Sequence, residues 1–205
     1  SGSVHRVCVE RMSVMDLVTR RLDLPGLTRA AIVPAEAKPG SLQEKQFSEA
    51  CMKQPELQFD LCSEQLKKGR QELGEVRDGD VLITRHSNLA SVEMFCHILS
   101  SAVTEPTLSQ RRLQTRQLLA ALRRSLSLCH FARAATVSIA VGLCGDSEAL
   151  AAWAEEGPAW SERVASVAQT VREAALWPHA NANALRTLRF ILPSAMDPKA
   201  AEECS

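Results

Sequence analysis

Arg85-His86-Ser87-Asn88 places an imidazole beside a hydroxyl, the pairing from which an activated nucleophile is built. Neighbouring residues point their side chains apart, and Ser87 lacks the G-x-S-x-G elbow that would expose it at a strand-to-helix turn. The more economical reading is structural. His86, Ser87 and Asn88 form a loop that satisfies its own backbone, with Asn88 accepting N–H bonds as Asx-type turns do. Arg85 carries planar donors suited to a carboxylate and is assigned as an outward-facing partner contact.

Three other constellations deserve the same weighing. Cys96-His97 and Cys129-His130 together offer four metal-ligand types, yet residues adjacent on a strand face opposite ways and zinc-site spacing is absent. Gly142-Leu143-Cys144-Gly145 stands where α/β folds cradle phosphate, but Asp146, Glu148, Glu155 and Glu156 would repel one, and no phosphate-loop pattern is present. Arg112, Arg116 and Arg123 project from one side of a helical segment as the only dense basic feature. Without neighbouring aromatics for base stacking, a protein's acidic patch suits them better than RNA. No catalytic residue, metal, cofactor or small-molecule ligand is expected.

The elements that position these residues follow from periodicity. Val81-Leu82-Ile83-Thr84 is a short β-branched run after the turn Asp78-Gly79-Asp80. Met94, Cys96, Ile98 and Val92 alternate with Phe95 and Leu99, which predicts a second strand covered on both faces. Ala30 to Val33 reads as a strand closed by Pro34. Ser41 with Glu44 is a capping-box signature for a helix to about Met52, and Leu57, Leu61, Gln65 and Leu66 mark another, ending at Gly69 or Gly74. A long helix runs from about Leu108 to Cys129 with Leu118, Leu122, Leu126 and Cys129 on its inner stripe. Thr136 to Val141 is an inner strand. Gly157-Pro158 opens a helix that buries Trp160, Val164, Val167 and Val171, and Leu185 to Leu192 is the last strand. Val4 to Leu22 fits an amphipathic helix, or a short strand at Val7-Cys8-Val9.

Strand, helix, strand, helix, strand in the second half calls for parallel strands joined by crossovers. The fold class is therefore α/β, a mixed, mainly parallel sheet with helices on its faces. The organisation expected is an N-terminal helical or mixed segment at 1–28, an α/β domain at 29–193 and a polar tail at 194–205. At 205 residues the chain buries a core without staples. Its 24 basic and 24 acidic residues cancel, so no long-range field draws in nucleic acid or membrane. Seven scattered cysteines without C-x-x-C spacing read as reduced and mostly buried, and no apolar run reaches membrane-spanning length. The opening Ser-Gly-Ser, without Met, points to a piece of a longer chain.

Two resemblances follow. The element order from Val81 onward, together with Arg29-Ala30-Ala31-Ile32-Val33-Pro34-Ala35, resembles a macro domain. Where macro domains place an Asn-Ala-Ala-Asn loop this chain has Pro34-Ala35-Glu36-Ala37, so the resemblance implies the fold and not the ADP-ribose site. In residues, Gly79-Asp80-Val81-Leu82-Ile83-Thr84-Arg85-His86-Ser87-Asn88-Leu89 is similar to a segment of the third-subunit family of the FERRY complex, a Rab-GTPase effector assembly of early endosomes. That similarity continues through Leu122-Arg123-Arg124-Ser125-Leu126 and Thr136-Val137-Ser138-Ile139 to Leu188-Arg189-Phe190-Ile191-Leu192-Pro193. It implies a non-catalytic, cytoplasmic subunit peripheral to early endosomes. Its partners would be protein subunits of a hetero-oligomer, and its association with messenger RNA and translation components indirect. The alternative is a macro-like module that binds or hydrolyses ADP-ribose.

Overall fold

The computed structural model describes residues 6–11, 29–52, 60–86, 92–101, 108–140, 162–173 and 185–192. In chain order these give β1 (Arg6–Arg11), β2 (Arg29–Glu36), α1 (Leu42–Met52), α2 (Cys62–Leu73), β3 (Val81–Arg85), β4 (Met94–Ser100), α3 (Leu108–Phe131), β5 (Thr136–Ala140), α4 (162–173) and β6 (Thr187–Leu192). The strands form one sheet in the order β1-β6-β5-β2-β4-β3. Every neighbouring pair is parallel except β3 with β4, which run antiparallel. The mixed, mainly parallel α/β architecture expected from the sequence is the one observed.

β2 occupies the centre because its side chains suit burial on both sides: Ala30, Ala31, Ile32 and Val33 are all sealed from solvent. It lies between β4 and β5, and the three strands of the second half, β4, β5 and β6, run parallel as expected. Pro34, expected to close the strand, instead lies inside it, and β2 runs on to Glu36. Among the described residues pairing with β5 runs from Arg29 to Ile32 and pairing with β4 from Ala30 to Glu36, and Pro34 has no N–H to give to either neighbour. At Val7-Cys8-Val9 the strand is realised, and residues 12–28, over which the helix alternative extended, lie outside the described residues. β1 pairs with β6 over its full length and joins the sheet of the 29–193 segment.

Alternation then assigns each face its cover. Ala30, Ile32, Cys96, Ile98, Val137 and Ile139 pack under α3 and α4, meeting Leu118, Leu122 and Leu126 from the former and Val164, Val167 and Val171 from the latter. Ala31, Val33, Phe95 and Leu99 pack under α1 and α2, meeting Phe47 and Leu66. β4 is buried on both faces, as its pattern required. Val92 belongs with Phe95 and Leu99 rather than with Met94 and Cys96, because it precedes the strand and is not bound by its alternation.

Two glycines let layers approach. α2 runs through Gly69 and ends at Gly74, which has φ 71° and donates its N–H to Arg70 O. A Cβ on Gly69 would lie 2.8 Å from Leu82 Cδ2. The turn before β3 is fixed by its aspartates: Asp80 Oδ2 accepts Arg77 N–H at 2.8 Å and Asp78 Oδ1 accepts Ser101 N–H at 2.6 Å. Gly79, at φ 84°, sits so close to α3 that a Cβ would be 2.7 Å from Gln117 O.

Candidate functional site

The residue that directly follows β3, His86, is buried in the interior. Arg85 ends the strand, and its backbone is paired by the Gln65 side chain of α2: Arg85 N–H donates to Gln65 Oε1 at 2.8 Å and Gln65 Nε2 donates to Arg85 O at 2.9 Å. The amide acts as a one-residue strand that covers this end of the sheet edge. The Arg85 side chain itself lies on the exposed side of β3. His86 is turned inward. Its N–H donates to Glu93 O at 3.0 Å, and its ring nitrogen Nε2 lies 2.9 Å from Thr84 Oγ1. Ser87 and Asn88 lie outside the described residues.

Thr84 Oγ1 also lies 2.8 Å from His97 Nε2, so one hydroxyl joins two imidazoles. The hydroxyl gives its proton to one ring and accepts from the other, which places the two histidines in different neutral tautomers. Aromatic edges wall the group: Phe95 stands 5.1 Å from the His86 ring and Phe47 5.8 Å from the His97 ring. Burial pushes His86 down to about 4 and His97 down to about 3, the His86 and Arg70 charges adding to burial in the second case. Both rings are neutral at physiological pH. Thr84, His86 and His97 are all buried, and the one hydroxyl gives each ring a hydrogen-bond partner.

A second buried polar group was not foreseen. Ser41 caps α1 as predicted, Glu44 N–H donating to Ser41 Oγ at 3.1 Å. The Glu44 carboxylate reaches Gly40 N–H at 3.3 Å and pairs with Arg70 of α2 at 3.0 Å in the interior, while Arg70 Nη2 also donates to Glu36 O at 3.0 Å. Arg70 Nε and Nη1 have no hydrogen-bond partner. Arg189 of β6 and Glu10 of β1 form a bidentate pair across the sheet, with Arg189 Nε to Glu10 Oε1 at 2.9 Å and Nη2 to Oε2 at 2.6 Å. Capping chemistry announced Glu44. Nothing in the local pattern announced Arg70, Thr84 or Arg189, whose partners are distant in sequence.

The two Cys-His dipeptides divide between faces. Cys96 packs under α3, and its Sγ lies 3.9 Å from Cys129 Sγ, while His97 looks to the other side. The hydrogen bond to Cys96, followed by burial, raises the Cys129 thiol, so the Cys129 sulfur stays protonated. Among the described residues no group of three or more His, Cys, Asp or Glu could hold a metal. The loop Gly142 to Asp146 and the residues Val141 and Trp160 lie outside the described residues.

The arginine ridge of α3 is divided as well. Arg123 pairs with Glu173 of α4 at 3.2 Å, and the Glu173 carboxyl is lowered by Gln169 first and by Arg123 after it. Arg124 donates to Gly79 O and ties the turn to the helix. Arg112 and Arg116 are exposed and make no ion pair or hydrogen bond among the described residues.

The family model described as "Ferry endosomal RAB5 effector complex subunit 3" (Fy-3) matches residues 69–203, from the middle of α2 through β6 and beyond. The chain belongs to the Fy-3 family. The Fy-3 match covers the turn, β3, β4 and the whole of α3, the elements on which Arg85, Arg112 and Arg116 stand. No curated protein matches the chain in sequence. Among solved structures it is similar to the macro domain of ganglioside induced differentiation associated protein 2, at 16% identity and TM-score 0.61 over 97% of this chain and 82% of that one. It is also similar to the Oceanobacillus iheyensis macrodomain with MES bound, at 17% identity and TM-score 0.58 over 97% and 88%. The same macrodomain with ADP gives 15% identity and TM-score 0.56 over 96% and 87%. At these identities the likeness establishes the macro-like fold of this Fy-3 member. No helix among the described residues is long and apolar enough to cross a membrane.

Proposed function

We propose that this Fy-3 family chain is a non-catalytic subunit of an early-endosomal Rab-GTPase effector complex that links messenger RNA and translation machinery to endosomes. In this reading it is cytoplasmic and peripheral to the membrane. Its partners are the other protein subunits of a hetero-oligomer, and RNA associates with it indirectly. The observation that carries the reading is the family match over residues 69–203, which spans most of the core. The commitment of Thr84, His86 and His97 to one another, of Glu44 to Arg70 and of Arg189 to Glu10 supports it, because these groups are occupied in holding the fold.

The test is reconstitution. The chain, co-expressed with the remaining subunits of the complex, is expected to elute with them and to be recovered with RAB5. RNA should be retained by the assembled complex and not by the chain alone. Elution of the chain by itself, with the other subunits assembled normally, overturns the proposal. The fold likeness alone favours the other reading, a module that binds or hydrolyses ADP-ribose. Saturable heat on titrating ADP-ribose into the chain would establish that reading instead.

A further inference from the structure

We infer that the outer face of α3 is the docking surface for an acidic amphipathic helix of a partner subunit. This rests on the subunit reading above and adds to it the surface and the chemistry of the partner. The 24 residues of α3 contain five arginines and no acidic residue, in a chain whose 24 basic and 24 acidic residues cancel only when these arginines are counted. Arg123 is neutralised by Glu173, but Arg112 and Arg116 are left without counter-charge among the described residues. A partner that brings carboxylates therefore meets unpaired guanidiniums and avoids repulsion, which favours acidic chemistry on the other side.

The same face carries apolar side chains that the fold leaves bare. Leu113 is 58% exposed and Phe131 90% exposed. They stand eighteen residues apart, which is five full turns, so they lie on one line along the helix about 27 Å long. Leu128 borders that line near Phe131. A ridge with an apolar anchor at each end and arginines beside it suits a partner helix of about five turns, apolar on one side and acidic at its margins. Arginine and phenylalanine are residue types enriched at such contacts. RNA fits less well: Phe131 is the one exposed aromatic ring among the described residues, too few for a stacking track.

The experiment uses the full chain co-expressed with the remaining complex subunits. Three forms are compared with the unmodified chain: Arg112→Glu with Arg116→Glu, Leu113→Ser with Phe131→Ser, and a control, Lys45→Glu on exposed α1. The substituted side chains are exposed, so thermal melting should be unchanged in all forms. The first two variants are expected to lose at least tenfold in apparent affinity for the assembled subunits, and the control to retain it. Added salt should weaken the unmodified chain and should not weaken the charge-reversed one further. Hydrogen exchange on the assembled complex should show α3 protected along the Leu113–Phe131 line. If the unmodified chain and both variants co-elute equally well, the surface is wrong while the subunit reading stands. If the unmodified chain does not co-elute at all, both fall. Binding of a single-stranded RNA to the chain alone, lost in the arginine variant while co-elution persists, overturns the protein partner in favour of RNA.

Discussion

His86 and His97 should make the stability of this domain depend on pH well above the range in which carboxylates titrate. Both imidazoles are held neutral by burial, at about 4 and about 3, against an ordinary value of 6.5. Their folded pKa values lie below their unfolded ones, so the unfolded chain binds more protons throughout the interval between them. The stability they support is complete above about pH 6.5 and declines as the pH falls toward the folded values. Each histidine loses about 1.4 kcal/mol per pH unit in that interval, so moving from about pH 7.5 to about pH 5 costs roughly 2 kcal/mol per ring and about 4 kcal/mol together. That is a large share of the 5–15 kcal/mol over which domains of ordinary size are stable, to order of magnitude. Urea unfolding followed by fluorescence at the two pH values measures the difference. His97→Gln keeps a polar atom near Thr84 Oγ1 but cannot ionise, so it should remove about half the pH dependence whatever its own stability. An unchanged pH dependence in that variant would show that protons enter elsewhere, and the account of the Thr84 cluster would be wrong.

Removing the buried partner in Glu44→Ala should destabilise by roughly 3–5 kcal/mol, because Arg70 would be left as an uncompensated interior charge; Arg123→Ala, which breaks the exposed pair with Glu173, should leave the urea midpoint within error. Ile139→Ala, at a fully buried inner-strand position, should cost about 2–5 kcal/mol by the same denaturation measurement. Gly79→Ala should destabilise by more than about 1–2 kcal/mol, since it adds a backbone clash with Gln117 to a left-handed φ. Gly69→Ala should fall within about 1 kcal/mol of neutral, because the helix gains propensity and only the end of the Leu82 side chain must move.

What the sequence disclosed was what periodicity and local chemistry encode. The two-faced burial of β4, the inner stripe of α3, the Ser41 cap and the Asp78-Gly79-Asp80 turn are each set within a few residues, and each is present in the structure. Strand neighbours are set by contacts far along the chain. No local pattern says that β2 inserts between β4 and β5, or that β1 pairs with a strand some 180 positions later. The candidate residues divide in the same way. Arg112 and Arg116 were legible because an exposed basic ridge is a helical pattern. Glu44 with Arg70 and His97 with Thr84 were not, because each pair spans separate elements. His86 was legible as structural by elimination only, and its buried partner could not be named without β4 in place.

The polar residues also sort by face, which bears on where function can lie. The strand positions under α3 and α4 are apolar: Ala30, Ile32, Met94, Cys96, Ile98, Val137, Ile139 and Leu188. Register puts Arg29, Thr84, His97, Thr136, Ser138 and Arg189 on the other face, all buried. An unpaired polar group in such a place costs more than a satisfied one contributes. That face therefore tolerates few substitutions without loss of the fold. The apolar face makes no such demand, and its covering helix α3 needs only its inner stripe to stay packed. The outer stripe of α3 is free to vary in chemistry without cost to stability, yet it holds Arg112, Leu113, Arg116 and Phe131, a combination that the domain's own packing does not require. A substitution that weakens assembly while leaving unfolding unchanged should accordingly map to α3, whereas one in the Thr84 or Arg70 clusters should lower both together.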